Sequence, residues 1–453
     1  MKSSTMSDFT EGPILGPLLR FAFPILFAMF LQTMYGAVDL IVIGQFCDAA
    51  AVSAVSNGSH IMQTITFAIT GISLGITVIL GQKIGEKKLE EAGSIIGNGI
   101  ILFLIIALAV TVLMIATTPL WIILLKIPEE AVTFCKQYLI ICSSGAVFIT
   151  AYNLLGAIFR GLGNSRLPLI IVAIACVFNI FGDLLFVAVF KMGPAGAAIA
   201  TVLAQAFSVI ISLFIICRME LPFVFHKKMI RYNHSRNIEI LKLGVPVALQ
   251  DLLVSISFFF ITAIINSMGL VASAGIGIAE KVCGFIMLVP SSFSQSMSSV
   301  VAQNYGARKM DRAKRALIAG IGSSLVAGVI IGYMGFFHGD LLCSLFSPEA
   351  DVVYAGWQYL KAYAIDCLFT SFLFCFIGFY NGAGRTQFVM WQGIAGAFCV
   401  RVPLSFVIHH FFPTEIFYLG LATPSSTFVQ IIICFVYWRI FNRKINASIS
   451  QTA

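Results

Sequence analysis

The chain has 453 residues, 59% of them hydrophobic and 11% charged, with a formal net charge of +8 and a mean hydropathy of +0.97. Soluble domains are about one quarter charged, so a water-soluble globular fold is excluded. Apolar runs of about 20 residues or more recur from end to end, long enough to cross a bilayer as helices and unlike the short alternating strands of a β-barrel.

The first segment, MKSSTMSDFTEGPILGPLLR, is polar and passes straight into a long apolar run with no small-residue cleavage site, so no cleavable signal peptide is expected. Span 1 (15–46) carries Pro24, four residues past Arg20, and a lone aspartate, Asp39, in YGAVDLIVIGQF. Spans 2 and 3 (51–81 and 93–120) flank the charged loop GQKIGEKKLEEA, and span 4 (132–159) carries Tyr138 and Asn153. Spans 5 and 6 (166–190 and 194–217) hold Asn179 and Asp183 in FNIFGD and Thr201 in AAIATV. A long basic loop, Arg218 to Lys242, precedes spans 7 to 12 at 238–267, 272–302, 315–337, 351–380, 387–411 and 416–439. Within these, Asp251, Glu280 and Asp366 are intramembrane acids; Glu280 and Lys281 are adjacent and so point about 100° apart on a helix.

Charge placement orients the spans. Twenty-two lysines and arginines fall on one side, three (Lys126, Lys136 and Lys191) on the other, and three (Lys281, Lys361 and Arg401) inside spans. The positive-inside rule then makes both termini cytoplasmic, and these loops account for the net charge without a nucleic-acid partner. The eleven cysteines include no CxxC pair and no metal-ligand spacing, which reads as reduced core thiols. The six histidines are dispersed, and no catalytic cluster indicates an enzyme.

The chain is duplicated. GQKIGEKKLEEA (81–92) matches AQNYGARKMDRA (302–313), and KIPEEAVTFCKQYL (126–139) matches FSPEADVVYAGWQYL (346–360). RGLGNSR (160–166) matches NGAGR (381–385), and RFAFP (20–24) matches KLGVP (242–246), all at offsets of 220–222. Six spans is an even number, so the halves share one orientation, as parallel repeats about an axis along the membrane normal. The expected fold is all-α: twelve transmembrane helices in two six-helix bundles related by that pseudo-twofold axis. The expected lobes are 1–220 and 242–453, joined by a cytoplasmic linker at 221–241. Two lobes facing a cavity suit alternating access, although a repeat alone does not dictate function.

The repeat also separates scaffold from chemistry. At an offset of 222, Asp39 corresponds to Ile261, Asn179 to Arg401 and Asp183 to Ser405, so the first lobe is acidic where the second is neutral or basic. Counted from Asp48 and Lys191 at the outer boundary, Asp39 lies ~13 Å deep, Asp183 ~12 Å and Thr201 ~15 Å or less. Asn179 is one turn from Asp183 on the same helix face. Two carboxylates, an amide and a hydroxyl are all oxygen donors, the ligand type that hard cations select. Intramembrane carboxylates are costly enough that function is their default reading.

With YGAVDLIVIGQF, GQKIGEKK, FRGLGNSRLP, FNIFGDLLF, MGPAGAAIATVLAQ, LGVPVALQ, AQNYGARK and FYNGAGRTQ in order along nearly the whole length, the chain resembles the multidrug and toxic compound extrusion (MATE) family. Within it the likeness is to the prokaryotic branch around the DNA-damage-inducible protein F group. The resemblance implies a V-shaped pair of six-helix bundles in the plasma membrane of a prokaryote. It implies export of small, lipophilic organic cations in exchange for H⁺ or Na⁺, with no other cofactor. By that resemblance Asp39, Asn179, Asp183 and Thr201 couple the ion and serve as Na⁺ ligands if Na⁺ is used. Tyr138 and Asn153 are looser carry-overs for substrate or secondary coupling, and Glu280 and Asp366 are assigned the same possible role as intramembrane acids. It also makes Pro24 a hinge, since the first span of related transporters bends when its aspartate is protonated. Pro246 matches Pro24 in the second half, which argues partly for a plain scaffold role, so hinge and scaffold stand level. The expected partners are organic substrates and membrane lipids, and the expected state is a monomer. The alternative within transport is a lipid-linked oligosaccharide flippase of the same superfamily; twelve spans and acidic first-lobe charges weigh against it.

Overall fold

The structure is a computed structural model that describes residues 7–219, 221–223 and 225–450, with side chains described through Arg443. Lys2, counted above among the basic residues, lies outside them, as does the side chain of Lys444. The described residues form helices α1 (Leu15–Phe46), α2 (Ala49–Gly85), α3 (Leu89–Leu124), α4 (Glu129–Ser144), α5 (Ala146–Gly161), α6 (Arg166–Asp183) and α7 (Gly193–Arg218). After the linker come α8 (His234–Ser267), α9 (Leu270–Ile286), α10 (Leu288–Gly306), α11 (Met310–Ser344), α12 (Ala350–Gly382), α13 (Thr386–Ile394), α14 (Val402–Phe411), α15 (Ile416–Gly420) and α16 (Ala422–Ser450). Eleven stretches are long and apolar enough to span a membrane, and the bent pair α4–α5 makes a twelfth. The chain is therefore an all-α, multi-pass membrane protein.

Local chemistry places the helix ends. Asp48 caps α2, its carboxylate accepting the Ala51 amide at 2.9 Å. Glu90 and Glu91 occupy the first turn of α3, where the helix dipole favours negative charge. Pro194 opens α7, at a position where its missing N–H costs nothing. The break between α9 and α10 falls at Met287, just before Pro290, which cannot donate to the carbonyl four residues back. Span 4 bends by 49° at Gly145, where a Cβ would lie 2.5 Å from Val202 of α7. α6 ends at Asp183 and continues as a π-turn, Leu184–Val189; a second π-turn, Ala395–Arg401, ends at Arg401. Such turns are rare and gather at functional sites.

The chain divides into two compact units, Met1–Ala248 with Ser299–Arg312, and Leu249–Ser298 with Ala313–Ala453. Small residues explain why the first unit takes the start of α8 and the end of α10. Gly71 and Gly75 of α2 face Ala248 and Ile240 of α8, with prospective Cβ distances of 2.6 and 2.5 Å, and Gly244 of α8 faces Ile72. This is the small-xxx-small packing that lets helix backbones meet in a membrane. The ends of α2 and α10 cross more tightly still: a Cβ on Gly85 would overlap the Gln303 carbonyl oxygen, and one on Gly306 would overlap that of Gln82. Lys87 and Arg308, matched by the repeat, both close their helices in the left-handed region at φ 59° and 58°. The second unit is built around α12, whose Tyr359, Phe376, Phe379 and Tyr380 are buried. Outward faces stay apolar, as on α3, where Val112 and Ile123 are 69% and 73% exposed.

Candidate functional site

Three helices of the first unit meet at Asp39. α1 carries Asp39 past its midpoint, α6 presents Asn179 and Asp183 one turn apart at its end, and α7 brings Thr201 from its third turn. Asp39, Asn179 and Asp183 are 3%, 0% and 0% exposed. Thr201 Oγ1 donates to Asp39 Oδ2 at 3.2 Å. The Asp183 and Asn179 side chains lie at the Asp39 carboxyl, yet Asp39 Oδ1, both Asp183 oxygens and both Asn179 amide atoms lack a hydrogen-bond partner within the protein. Buried polar atoms are normally paired, and orphaning one costs about 1–3 kcal/mol. Five orphans converging on one point form a set of oxygen donors, with one amide nitrogen, that fits a small hard cation or a proton. Two carboxyls in a buried site repel each other when both are ionised, and a proton on one or a cation between them relieves that repulsion.

All four residues singled out in the sequence are thus brought together. Tyr138 also approaches the site from α4: it is 3% exposed, bonds Ser59 of α2 at 3.0 Å, and has Asp39 and Cys142 as electrostatic neighbours. Gly58 makes room for it, since a Cβ there would lie 2.5 Å from the tyrosine ring. Asn153 is elsewhere, accepting from Thr70 at 2.8 Å and donating to the Ile149 carbonyl at 2.9 Å; it ties α5 to α2. Tyr35 completes the site and was missed in the sequence. Its hydroxyl donates to the Thr201 carbonyl at 3.3 Å, and Asp39 and Asp183 are its electrostatic neighbours. The available signal was its spacing: Tyr35 precedes Asp39 by four residues and so shares its face. α1 runs through Pro24 as one helix.

In the second unit the corresponding residues make a different centre. Ile261 is 1% exposed and Ser405 fully buried, and Arg401, 6% exposed, donates to Ser257 at 3.2 Å with its guanidinium 4.4 Å from the Phe258 ring centroid. Asp366 of α12 is 2% exposed, with Thr427 and Arg401 as neighbours, and its Oδ1 has no hydrogen-bond partner. Glu280 is exposed on α9, and Tyr359 lies within electrostatic reach of Glu280, Asp366 and Arg401. Among the described residues, no group of three or more His, Cys, Asp or Glu side chains is arranged to hold a metal ion.

The model of the MatE family matches residues 24–185 and again 246–407, the two matches beginning and ending 222 residues apart. The chain belongs to the MatE family. Its membership makes it a membrane transporter rather than an enzyme, and the doubled match is the duplication read in the sequence. This MATE protein is 28% identical over 432 residues to the "Probable multidrug resistance protein YpnP" of Bacillus subtilis, covering 95% of this chain and 96% of that one. Its fold superposes at a TM-score of 0.91, with 19% identity and coverage of 97% and 98%, on a MOP superfamily transporter from Pyrococcus furiosus whose structure is described by the reverse polarity of its binding pocket. The same score and identity relate it to a MATE structure in the bent conformation. These likenesses establish the twelve-helix MATE fold.

Proposed function

We propose that this MATE protein is a secondary active multidrug efflux antiporter, exporting lipophilic organic cations in exchange for H⁺ or Na⁺ with coupling at Asp39, Asp183, Asn179 and Thr201. Export of drugs is carried over from its relatives' names. The single observation behind the coupling site is the five orphaned polar atoms at one buried point, on residues whose repeat counterparts are not acidic. A proton or Na⁺ ion arriving from outside offsets one of the two carboxyl charges, and its release to the cytoplasm restores that charge. Binding a cation and binding substrate then alternate because each changes the charge of one lobe.

The remaining assignments belong to the same reading: a monomer in the plasma membrane of a prokaryote, both termini cytoplasmic, the two six-helix lobes meeting at the 221–241 linker, and Pro24 as a hinge of α1. Tyr138 serves the coupling site. Glu280 and Asp366 handle substrate or a secondary proton. The test is dye efflux from vesicles with Na⁺ and pH gradients imposed separately. One gradient should drive uphill export, and Asp39→Asn should abolish it while leaving a folded protein. Normal gradient-driven export by Asp39→Asn would overturn the coupling site.

A further inference from the structure

The segment before α1 is fastened more thoroughly than a chain terminus needs to be. Ser7 donates its amide to the Gly163 carbonyl in the α5–α6 turn at 3.1 Å. Phe9 donates its amide to Gln303 Oε1 at 3.1 Å, and its carbonyl accepts from Asn304 Nδ2 at 3.1 Å and from Arg312 Nε at 2.7 Å. Arg312 spends its other nitrogens on the same segment, Nη1 donating to the Gly12 carbonyl at 2.7 Å and Nη2 to the Glu11 carbonyl at 2.7 Å. Lys309 adds a bond to the Thr10 carbonyl at 3.0 Å. A guanidinium directed at backbone carbonyls rather than at a carboxylate recognises the path of the chain, because the donors are fixed in one plane. Beneath this lattice the Phe9 side chain is 3% exposed and meets Phe21 edge-on at 5.1 Å, three residues before Pro24.

The duplication shows that this cradle is not inherited scaffold. At an offset of 221, Gln303 and Lys309 match Gln82 and Lys88, whereas Asn304 matches Lys83 and Arg312 matches Glu91. In the first copy Lys83 pairs with Glu86 and Glu91, both at 3.1 Å. The positions where the second copy departs supply four of the bonds that hold residues 9–12. The cradle residues Gln303 and Asn304 lie beside the tightest crossing of the unit, where Gly306 meets Gln82 and Gly85 meets Gln303.

We propose that Ser7–Pro13 is a latch. It fastens the end of α10 and the start of α11 to the base of α1 and to the α5–α6 turn, beside the crossing of α2 and α10, and it lets go each time the transporter opens on that side. The proposal rests on the alternating-access reading above but not on the identity of the coupling ion. Because Phe9 packs on Phe21 below Pro24, the latch links the helix that carries Asp39 to the end of α10.

Two measurements on the full-length protein test it. Hydrogen exchange should be at least tenfold faster in Arg312→Ala than in the parent at Leu80–Lys83 and Val300–Gly306, with α4 unchanged. A chain starting at Gly12 should give the same result with Arg312 intact, which covers failure of the substitution to fold. Thr10→Cys/Lys309→Cys, bridged by a short reductant-cleavable thiol cross-linker, should lose efflux and regain it on reduction, whereas the parent treated alike keeps its activity. Parental exchange at Val300–Gly306 in a folded strapless chain, or normal efflux with the bridge in place, would overturn the latch. Failure of the ion-coupling reading would show instead as normal export by Asp39→Asn, which leaves both of these readouts intact.

Discussion

Asp39 has one side-chain hydrogen bond, a long one from Thr201 at 3.2 Å, and one orphaned oxygen, so the hydroxyl orients the carboxyl while leaving donor capacity for an ion. Removing a bond of this kind costs about 1–1.5 kcal/mol. As a loss of one oxygen ligand, Thr201→Val should therefore weaken Na⁺ affinity about tenfold, read as a shift of the half-saturating Na⁺ concentration for efflux, while Thr201→Ser stays near the parent. Tyr35→Phe removes only the bond to the Thr201 carbonyl and should shift the same parameter in the same direction by less. Arg401 and Asp366 answer to a different experiment, since both are buried charges that moderate each other. Stranding one buried charge costs more than removing both. Arg401→Met should lower the melting temperature in detergent more than Arg401→Met/Asp366→Asn does; an additive double variant would show that the two are independent. At this scale Asp39 and Asp183 were legible because an unduplicated charge in an apolar run stands out, and Asn179 and Thr201 because depth and helix face put them at the same level; the structure brings the four side chains together. It was a poor guide to Asn153, whose amide ties two helices, since a buried amide reads the same in either role.

α1 passes through Pro24 as one helix, although proline removes the bond from residue 24 to the Arg20 carbonyl. Pro24→Ala restores that donor, so the variant should melt no lower than the parent. If Pro24 is a hinge it should also turn over more slowly at unchanged ion affinity, a split between kcat and KM that a scaffold role would not produce. The bend in span 4 has a local cause: Gly145 admits Val202 of α7 within 2.5 Å of where a Cβ would stand. Gly145→Ala should push α7 away and thereby move Thr201, reducing both melting temperature and transport. Helix existence and order were legible from the apolar runs, and the expected span at 15–46 coincides with α1. Breaks inside spans were not, because Gly145 and Met287 interrupt runs whose hydropathy is continuous, and the π-turn after Asp183 depends on packing that no period in the sequence records.

Across the whole molecule, the duplication fixed the span count and the family match, and small residues fixed where backbones cross. Gly85→Ala and Gly306→Ala should each lower the melting temperature, because a methyl group there overlaps a carbonyl of the other helix. Gly322→Ala, with open space around its Cβ, should leave stability unchanged or raise it, as alanine favours a helix by up to about 1 kcal/mol. The sequence by itself determined that the chain spans the membrane twelve times as a doubled unit, and that its first copy alone keeps the acidic set, since both follow from hydropathy and from comparing two copies of one pattern. Only the tertiary structure decided that Tyr35 belongs to that set, that Arg401 rests on an aromatic ring in the second copy, and that residues 7–13 are bound by the end of α10 and the start of α11. Those contacts join residues between 143 (Phe258 to Arg401) and 303 (Phe9 to Arg312) positions apart, or depend on which way a side chain turns, and spacing along a chain carries neither distance nor direction across it.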